Sequence, residues 1–236
     1  MLSLTQHLYS LHKPDYIKAT QHPFLSAAAN GSLPPSRLAL WLSQDRSYAA
    51  HAYPRLIGRI ISAIPFSSAH SKTSVEENQN QRVLNVCIDT LKNVADEVEY
   101  FDREAERFGL ETDGWKVRKG TRDYLAEMAR IGVEGTLIDG LVYVWAMEQC
   151  YLDAWRYVTS NMENSSEDNA ALASFAEHWT NDEFVKFVQG WAVLVDSFDV
   201  KPGSEQWAKS EEIWARVIEL EEGFWPEEGE EAEMKA

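Results

Sequence analysis

The chain of 236 residues carries 38 acidic and 22 basic side chains, a formal net charge of −16, with 44% hydrophobic and 25% charged residues. That apolar fraction supports a sizeable core and excludes global disorder, while the negative charge repels phosphate backbones and anionic lipid, so neither nucleic acid nor membrane is an expected partner. Two cysteines, Cys87 and Cys150, are too few for a disulfide framework, and an N-terminus without a basic-then-apolar leader fits them to a cytoplasmic location.

Apolar residues recur every three to four positions and no alternating run bounded by hairpin turns appears, so the predicted fold class is all-α. A short amphipathic stretch covers 3–11, and a second runs from Asp15 to Ala29, stopped by Asn30-Gly31. Pro34 and Pro35 open a long apolar segment from Leu38 to Ile64, with a kink expected at Pro54. Residues 67–80 read as a long polar loop. Beyond it, Val83, Val86, Leu91 and Val94 begin a helix that continues to Phe101 and Phe108 and closes at Gly109. Gly114 precedes a further helix through Met128, and Gly132 or Gly135 separates it from an apolar run at 137–158. After a polar loop at 160–170 come helices near 170–178, 181–198 and 204–222. No linker divides the chain, so one domain is expected over 1–225. Residues 219–236 hold eight Glu and one Lys, which makes 226–236 read as an acidic, solvated, flexible tail.

Three carboxylates stand out. Glu148 falls inside LIDGLVYVWAMEQCYLDAW, a segment apolar on nearly every face, where it is either a structural group tied to an Arg or Tyr or a cavity-lining acid with a raised pKa. Tyr151 and Trp155 follow it on the same helical face. Asp45 shares a stripe with Trp41, Tyr48 and Ala52. That stripe suits a flat polar ligand, although an isolated Asp beside Arg46 also fits a surface ion pair. Glu221 precedes Phe224 and Trp225, two aromatics that a solvated helix end does not need. The six His show no paired metal spacing, and HExxH, CxxC, GxGxxG, P-loop and GxSxG patterns are absent, so no metal is expected. Cys150 on an apolar helix fits inert core better than a nucleophile.

Taken in order, TQHPFLSAAANGSL at 20–33, LWLSQDRSY at 40–48, TRDYLAEM at 121–128 and ELEEGFW at 219–225 resemble the thiaminase II (TenA) family nearly to the tail. The resemblance implies a heme-oxygenase-like helical bundle without a cofactor, acting in thiamine salvage. The implied reaction hydrolyses 4-amino-5-aminomethyl-2-methylpyrimidine, or its N-formyl derivative, to the hydroxymethylpyrimidine; some members cleave thiamine. It implies that Asp45 hydrogen-bonds the aminopyrimidine, that Tyr48, Tyr124 and Tyr151 line the pocket, that Trp179 stands for another pocket tyrosine, and that Glu221, three residues before Phe224, is catalytic. Where the larger branch carries a catalytic Cys, this chain has Met147 or Glu148, which resembles the branch with Glu in that place, and Cys150 is expected to point elsewhere. Relatives commonly form dimers or tetramers, and Trp on several helices, if exposed, would suit a homo-oligomeric interface.

An aminopyrimidine offers a flat π face to Tyr and Trp and a ring nitrogen beside an amino group to one carboxylate, for which Asp45 is the candidate. Loss of the exocyclic amine needs an acid at the leaving nitrogen and a base for water. Two carboxylates of separated pKa would supply these, Glu221 as the acid and Glu148 orienting water or the substrate ammonium. A rival reading is a non-catalytic binder of hydroxymethylpyrimidine or a related heterocycle. A third is another enzyme of the same bundle, a cofactor-free oxidase or a heme oxygenase, for which His22 before Pro23 is poorly placed as a proximal ligand.

Overall fold

The computed structural model describes residues 2–162 and 170–235, and among these it is all-α, a multi-helical bundle without a strand. The helices are α1 (Leu4–Ser10), α2 (Lys13–Thr20), α3 (Pro23–Ala29), α4 (Pro35–Ser47), α5 (Tyr53–Ser62), α6 (Val75–Phe108), α7 (Lys119–Glu134), α8 (Leu137–Asn161), α9 (Ala170–His178), α10 (Asp182–Asp196), α11 (Glu205–Phe224) and α12 (Glu230–Met234). Helix α8 is the central post: nearly all its side chains from Ile138 to Val158 are buried, and it packs against α2, α3, α5, α7, α9, α10 and α11. That explains a run apolar on nearly every face, since little of the helix before Arg156 meets water.

The helix from Asp15 to Ala29 is two helices. Pro23 has no N–H to continue α2 and instead occupies the first turn of α3, where His22 Nδ1 accepts from the Phe24 amide as the N-cap. The kink at Pro54 takes the form of a π turn over Tyr48–Ala52, closed by the Tyr53 amide to the Tyr48 carbonyl and followed by α5 with Pro54 in its first turn. Such a turn inserts one residue and rotates everything after it by about 100°. The loop expected at 67–80 is shorter, because Ser74 caps α6 by accepting from the Glu77 amide. Gly109, at φ 62°, ends α6 as expected. Helix α7 starts only at Lys119 and runs past Met128 to Gly135, and the loop at 160–170 is shortened by α8 reaching Asn161; its residues 163–169 lie outside the described ones.

Two further expectations are corrected. Eight of the nine Trp are buried and Trp115 is half-buried, so they build the core and offer no argument for an interface. The acidic tail folds back rather than extending into solvent: Glu231 pairs with Arg37 at 2.9 Å and Glu230 with Arg118 at 2.7 Å, and the Lys116 amide donates to the Met234 carbonyl at 2.8 Å. Both arginines are buried and need counter-charge, which the tail supplies from far along the chain. Cys87 and Cys150 are free and buried, and no helix among the described residues is long and apolar enough to cross a membrane.

Candidate active site

Seven elements converge on one cavity. Helix α4 brings Asp45, the π turn Tyr48, α5 Tyr53, α6 Glu97, α7 Tyr124, α8 Met147, Glu148 and Tyr151, and α11 Glu221 and Phe224; Trp179 follows α9. These side chains close around one compact space, and none of the eleven lining residues is basic. The eight residues singled out in the sequence all face this space. Tyr53, Glu97 and Met147 complete it; the sequence offers Met147 only as an alternative to Glu148 and carries no sign of the other two.

Each carboxylate is held by one aromatic donor. Tyr151 Oη donates to Asp45 at 2.5 Å, Tyr124 Oη to Glu221 at 2.5 Å, Trp179 Nε1 to Glu97 at 2.8 Å, and Tyr53 Oη to Glu148. Arg46, the alternative partner of Asp45, turns outward to Asp102, which leaves Asp45 buried and without a cation. Behind Tyr151 the indoles of Trp155, Trp179 and Trp225 fix its ring, with Trp225 stacked on it at 5.9 Å and Trp179 edge-on at 5.2 Å. Phe224 lies against Tyr124 at 5.7 Å and Tyr48 at 5.9 Å.

Four acids among aromatic walls titrate abnormally. Burial pushes Glu221 up to about 8 against the hydrogen bond from Tyr124. Burial likewise raises Glu148 to about 8, helped by the neighbouring Glu97, Glu221 and Asp45 and opposed by Tyr53. Glu97 is raised to about 7, and Asp45 goes well above the usual carboxylate range, in both cases chiefly through desolvation. Glu148 and Glu221 are raised alike, because both are buried with no cation in the cavity wall. They differ in position instead. A wider open cleft, lined also by Asp96, Glu99 and Glu183, shares Tyr53, Glu97 and Glu148 with the cavity and does not include Glu221. Glu148 therefore stands on the side of the cavity that faces the open cleft, and Glu221 does not.

Met147 stands one helical turn before Tyr151, and its sulfur accepts from Tyr48 Oη at 2.9 Å; Glu148 lines the cavity beside it. Cys150 is buried outside the cavity, its thiol pushed up by burial. No three of the described His, Cys, Asp or Glu side chains are placed to hold a metal ion.

The raised pKa of Glu97 makes a stability prediction. A native carboxylic acid that stays protonated up to about 7 keeps a proton which the unfolded chain has released above its ordinary value, so stability falls as pH rises through that window. Glu97→Gln is expected to leave the melting temperature at pH 5 unchanged and to raise it at pH 8 by about 2–4 °C, the shift that ~1 kcal/mol produces at this chain length. Thermal unfolding of both proteins at the two pH values checks it.

A model of the TENA/THI-4/PQQC family matches residues 10–231. Among curated proteins, the chain is 26% identical over 179 residues to a Fusarium pseudograminearum protein named "Probable transcription factor", covering 74% of this chain and 35% of that one. This chain thus corresponds to about a third of that relative's length. It is 22% identical over 231 residues to the "Aminopyrimidine aminohydrolase" of Halalkalibacterium halodurans, covering 95% of this chain and 94% of that one. Among solved structures, a TenA homologue from Pyrococcus furiosus superposes with a TM-score of 0.80 at 19% identity, covering 94% of this chain and 98% of that chain.

Proposed function

Because the chain belongs to the TENA/THI-4/PQQC family, we propose that it is an aminopyrimidine aminohydrolase of thiamine salvage, converting 4-amino-5-aminomethyl-2-methylpyrimidine or its N-formyl derivative to the hydroxymethylpyrimidine. The observation that carries this reading is the cavity itself: four carboxylic acids, each held by one aromatic donor, in a flat-walled space with no basic side chain. Such a site disfavours anions and suits a planar heterocycle with an amine. The aminohydrolase relative, similar over nearly its whole length, supports the same chemistry.

In this reading the pyrimidine lies among Tyr48, Tyr124, Tyr151, Trp179 and Phe224, and its ring nitrogen and amino group meet Asp45. Glu221, still protonated near neutrality, gives its proton to the leaving nitrogen as the exocyclic C–N bond breaks. Glu148, at the border with the open cleft, takes a proton from the water that forms the new C–O bond; the reacting form is the one in which the pair holds a single proton, on Glu221, with Glu148 ionised. The amine leaves as ammonia, or as formamide from the N-formyl substrate, and the proton count closes when Glu148 returns its proton to Glu221 through solvent. No cysteine takes part in this reading, which takes Met147 or Glu148 for the place of the family nucleophile; Cys150 lies outside the cavity. This reading puts the chain in the branch with Glu in place of Cys and favours aminopyrimidines over thiamine.

The test is parallel incubation with the aminomethylpyrimidine, its N-formyl derivative and thiamine, following the hydroxymethylpyrimidine by chromatography. Turnover of either aminopyrimidine with little thiamine cleavage is the expected result. No turnover of any, together with saturable hydroxymethylpyrimidine binding, would make the protein a binder and overturn the catalytic roles.

A further inference from the structure

Helix α11 carries Glu221 and Phe224 in its final turn and ends without a glycine cap: Trp225 is extended and closes no backbone hydrogen bond to the helix. The last carbonyls of such an end need donors from elsewhere. One side chain supplies three of them. Arg118, 4% exposed and just ahead of α7, donates through Nη1 to the Gly223 carbonyl at 3.3 Å and the Phe224 carbonyl at 2.5 Å, and through Nη2 to the Trp225 carbonyl at 3.1 Å. The guanidinium charge also complements the negative end of the helix. The same group forks onto Glu230, with Nε at 2.8 Å and Nη2 at 2.7 Å.

The Arg118 backbone ties in a second part of the site. Its amide donates to Gln44 Oε1 at 2.9 Å, which also accepts from Thr121 Oγ1 at 2.9 Å, and Gln44 directly precedes Asp45. Helix α7 can approach this closely because residue 120 is glycine: a Cβ there would stand 1.9 Å from the Gly223 carbonyl oxygen. The elements that carry Asp45, Tyr124 and Glu221 thus meet at one arginine, outside the cavity and untouched by anything bound in it.

We propose that Arg118 is a positioning residue for Glu221 and Phe224, and that the acidic C-terminal segment serves as the strap that holds Arg118 in place through Glu230. This rests on the hydrolase reading, in which Glu221 is the acid. Without the guanidinium, the last turn of α11 loses three hydrogen bonds and its charge partner, and the acid wanders while the pyrimidine anchor on α4 stays fixed. The strap also accounts for a run of glutamates that composition alone assigns to solvent.

The experiment compares the parent with Arg118→Met, Arg118→Lys and Glu230→Gln in three readouts: kcat for the aminomethylpyrimidine, Kd for hydroxymethylpyrimidine, and amide hydrogen exchange along α11. Arg118→Met is expected to lower kcat about 10- to 100-fold, the scale of a small displacement of a reacting group, with Kd within about threefold. Exchange should rise at residues 221–225 and not in α8. Arg118→Lys, which keeps the charge without the fork, should recover part of kcat, and Glu230→Gln should fall between Lys and parent. If Arg118→Met does not fold, a kcat loss in the other two at unchanged Kd decides in favour. A kcat within twofold of parent, or kcat and Kd failing together with exchange raised throughout the chain, overturns the proposal. A parent that turns nothing over removes the hydrolase reading instead, and exchange at 221–225 still decides whether Arg118 holds the helix end.

Discussion

Glu221→Gln is expected to lower kcat for the aminomethylpyrimidine by about 10²- to 10⁴-fold, the usual contribution of a positioned general acid, while Kd for hydroxymethylpyrimidine stays within about threefold. The amide keeps the shape of the acid and still accepts from Tyr124 Oη, so the wall of the cavity is preserved. What it lacks is a transferable proton. The pyrimidine anchor lies on another helix, which is why binding survives. In the parent, kcat should fall above about pH 8 as Glu221 loses its proton, because a depleted acid cannot protonate the leaving nitrogen. Glu148→Gln should instead remove the limb that rises from low pH, since Glu148 accepts a proton from water. Glu221 helps raise the pKa of Glu148 and both titrate in the same range, so both limbs describe the pair. Rate profiles between pH 5.5 and 9.5 with the three proteins separate the roles, and full turnover by Glu221→Gln would remove the acid assignment.

How much of this was legible follows from what each local pattern encodes. The three-to-four periodicity belongs to the backbone and is present in every helix, so the all-α class was readable throughout. Whether a carboxylate faces a cavity or solvent is a property of what packs against it, and Asp45, Glu148 and Glu221 were each ambiguous until a resemblance joined them. Glu97 gave no signal at all: it lies in NVADEVEYFDREAERF, one acid among several on an amphipathic helix, and is singled out only because α6 crosses the open end of the cavity. Tyr53 was missed for a different reason. The π turn before it shifts the helical wheel by about 100°, so spacing counted from Tyr48 does not predict that Tyr53 meets Glu148. The tail reads as solvated from sequence because its counter-charges, Arg37 and Arg118, are distant in sequence and adjacent only in the fold.

Asp45→Ala is expected to weaken hydroxymethylpyrimidine binding by about 100-fold, the effect of losing two hydrogen bonds in a buried site and leaving Tyr151 Oη without its acceptor. The companion Asp45→Asn tells which proton state does the binding. Burial and the nearby acids Glu97 and Glu221 hold the Asp45 carboxyl well above its usual range, and no cation lies in the cavity wall to reverse that. The neutral acid presents one donor beside one acceptor, the complement of a ring nitrogen beside an amino group, and an asparagine presents the same pair. Asp45→Asn is therefore expected to bind within about tenfold of parent, against the hundredfold loss in alanine, with calorimetry at pH 7 as the measurement. If asparagine falls as far as alanine, the ring is bound as a cation on an ionised Asp45, and the site's preference is for protonated heterocycles. If alanine itself binds within threefold of parent, the anchor lies elsewhere in the cavity and the fork to Asp45 is wrong.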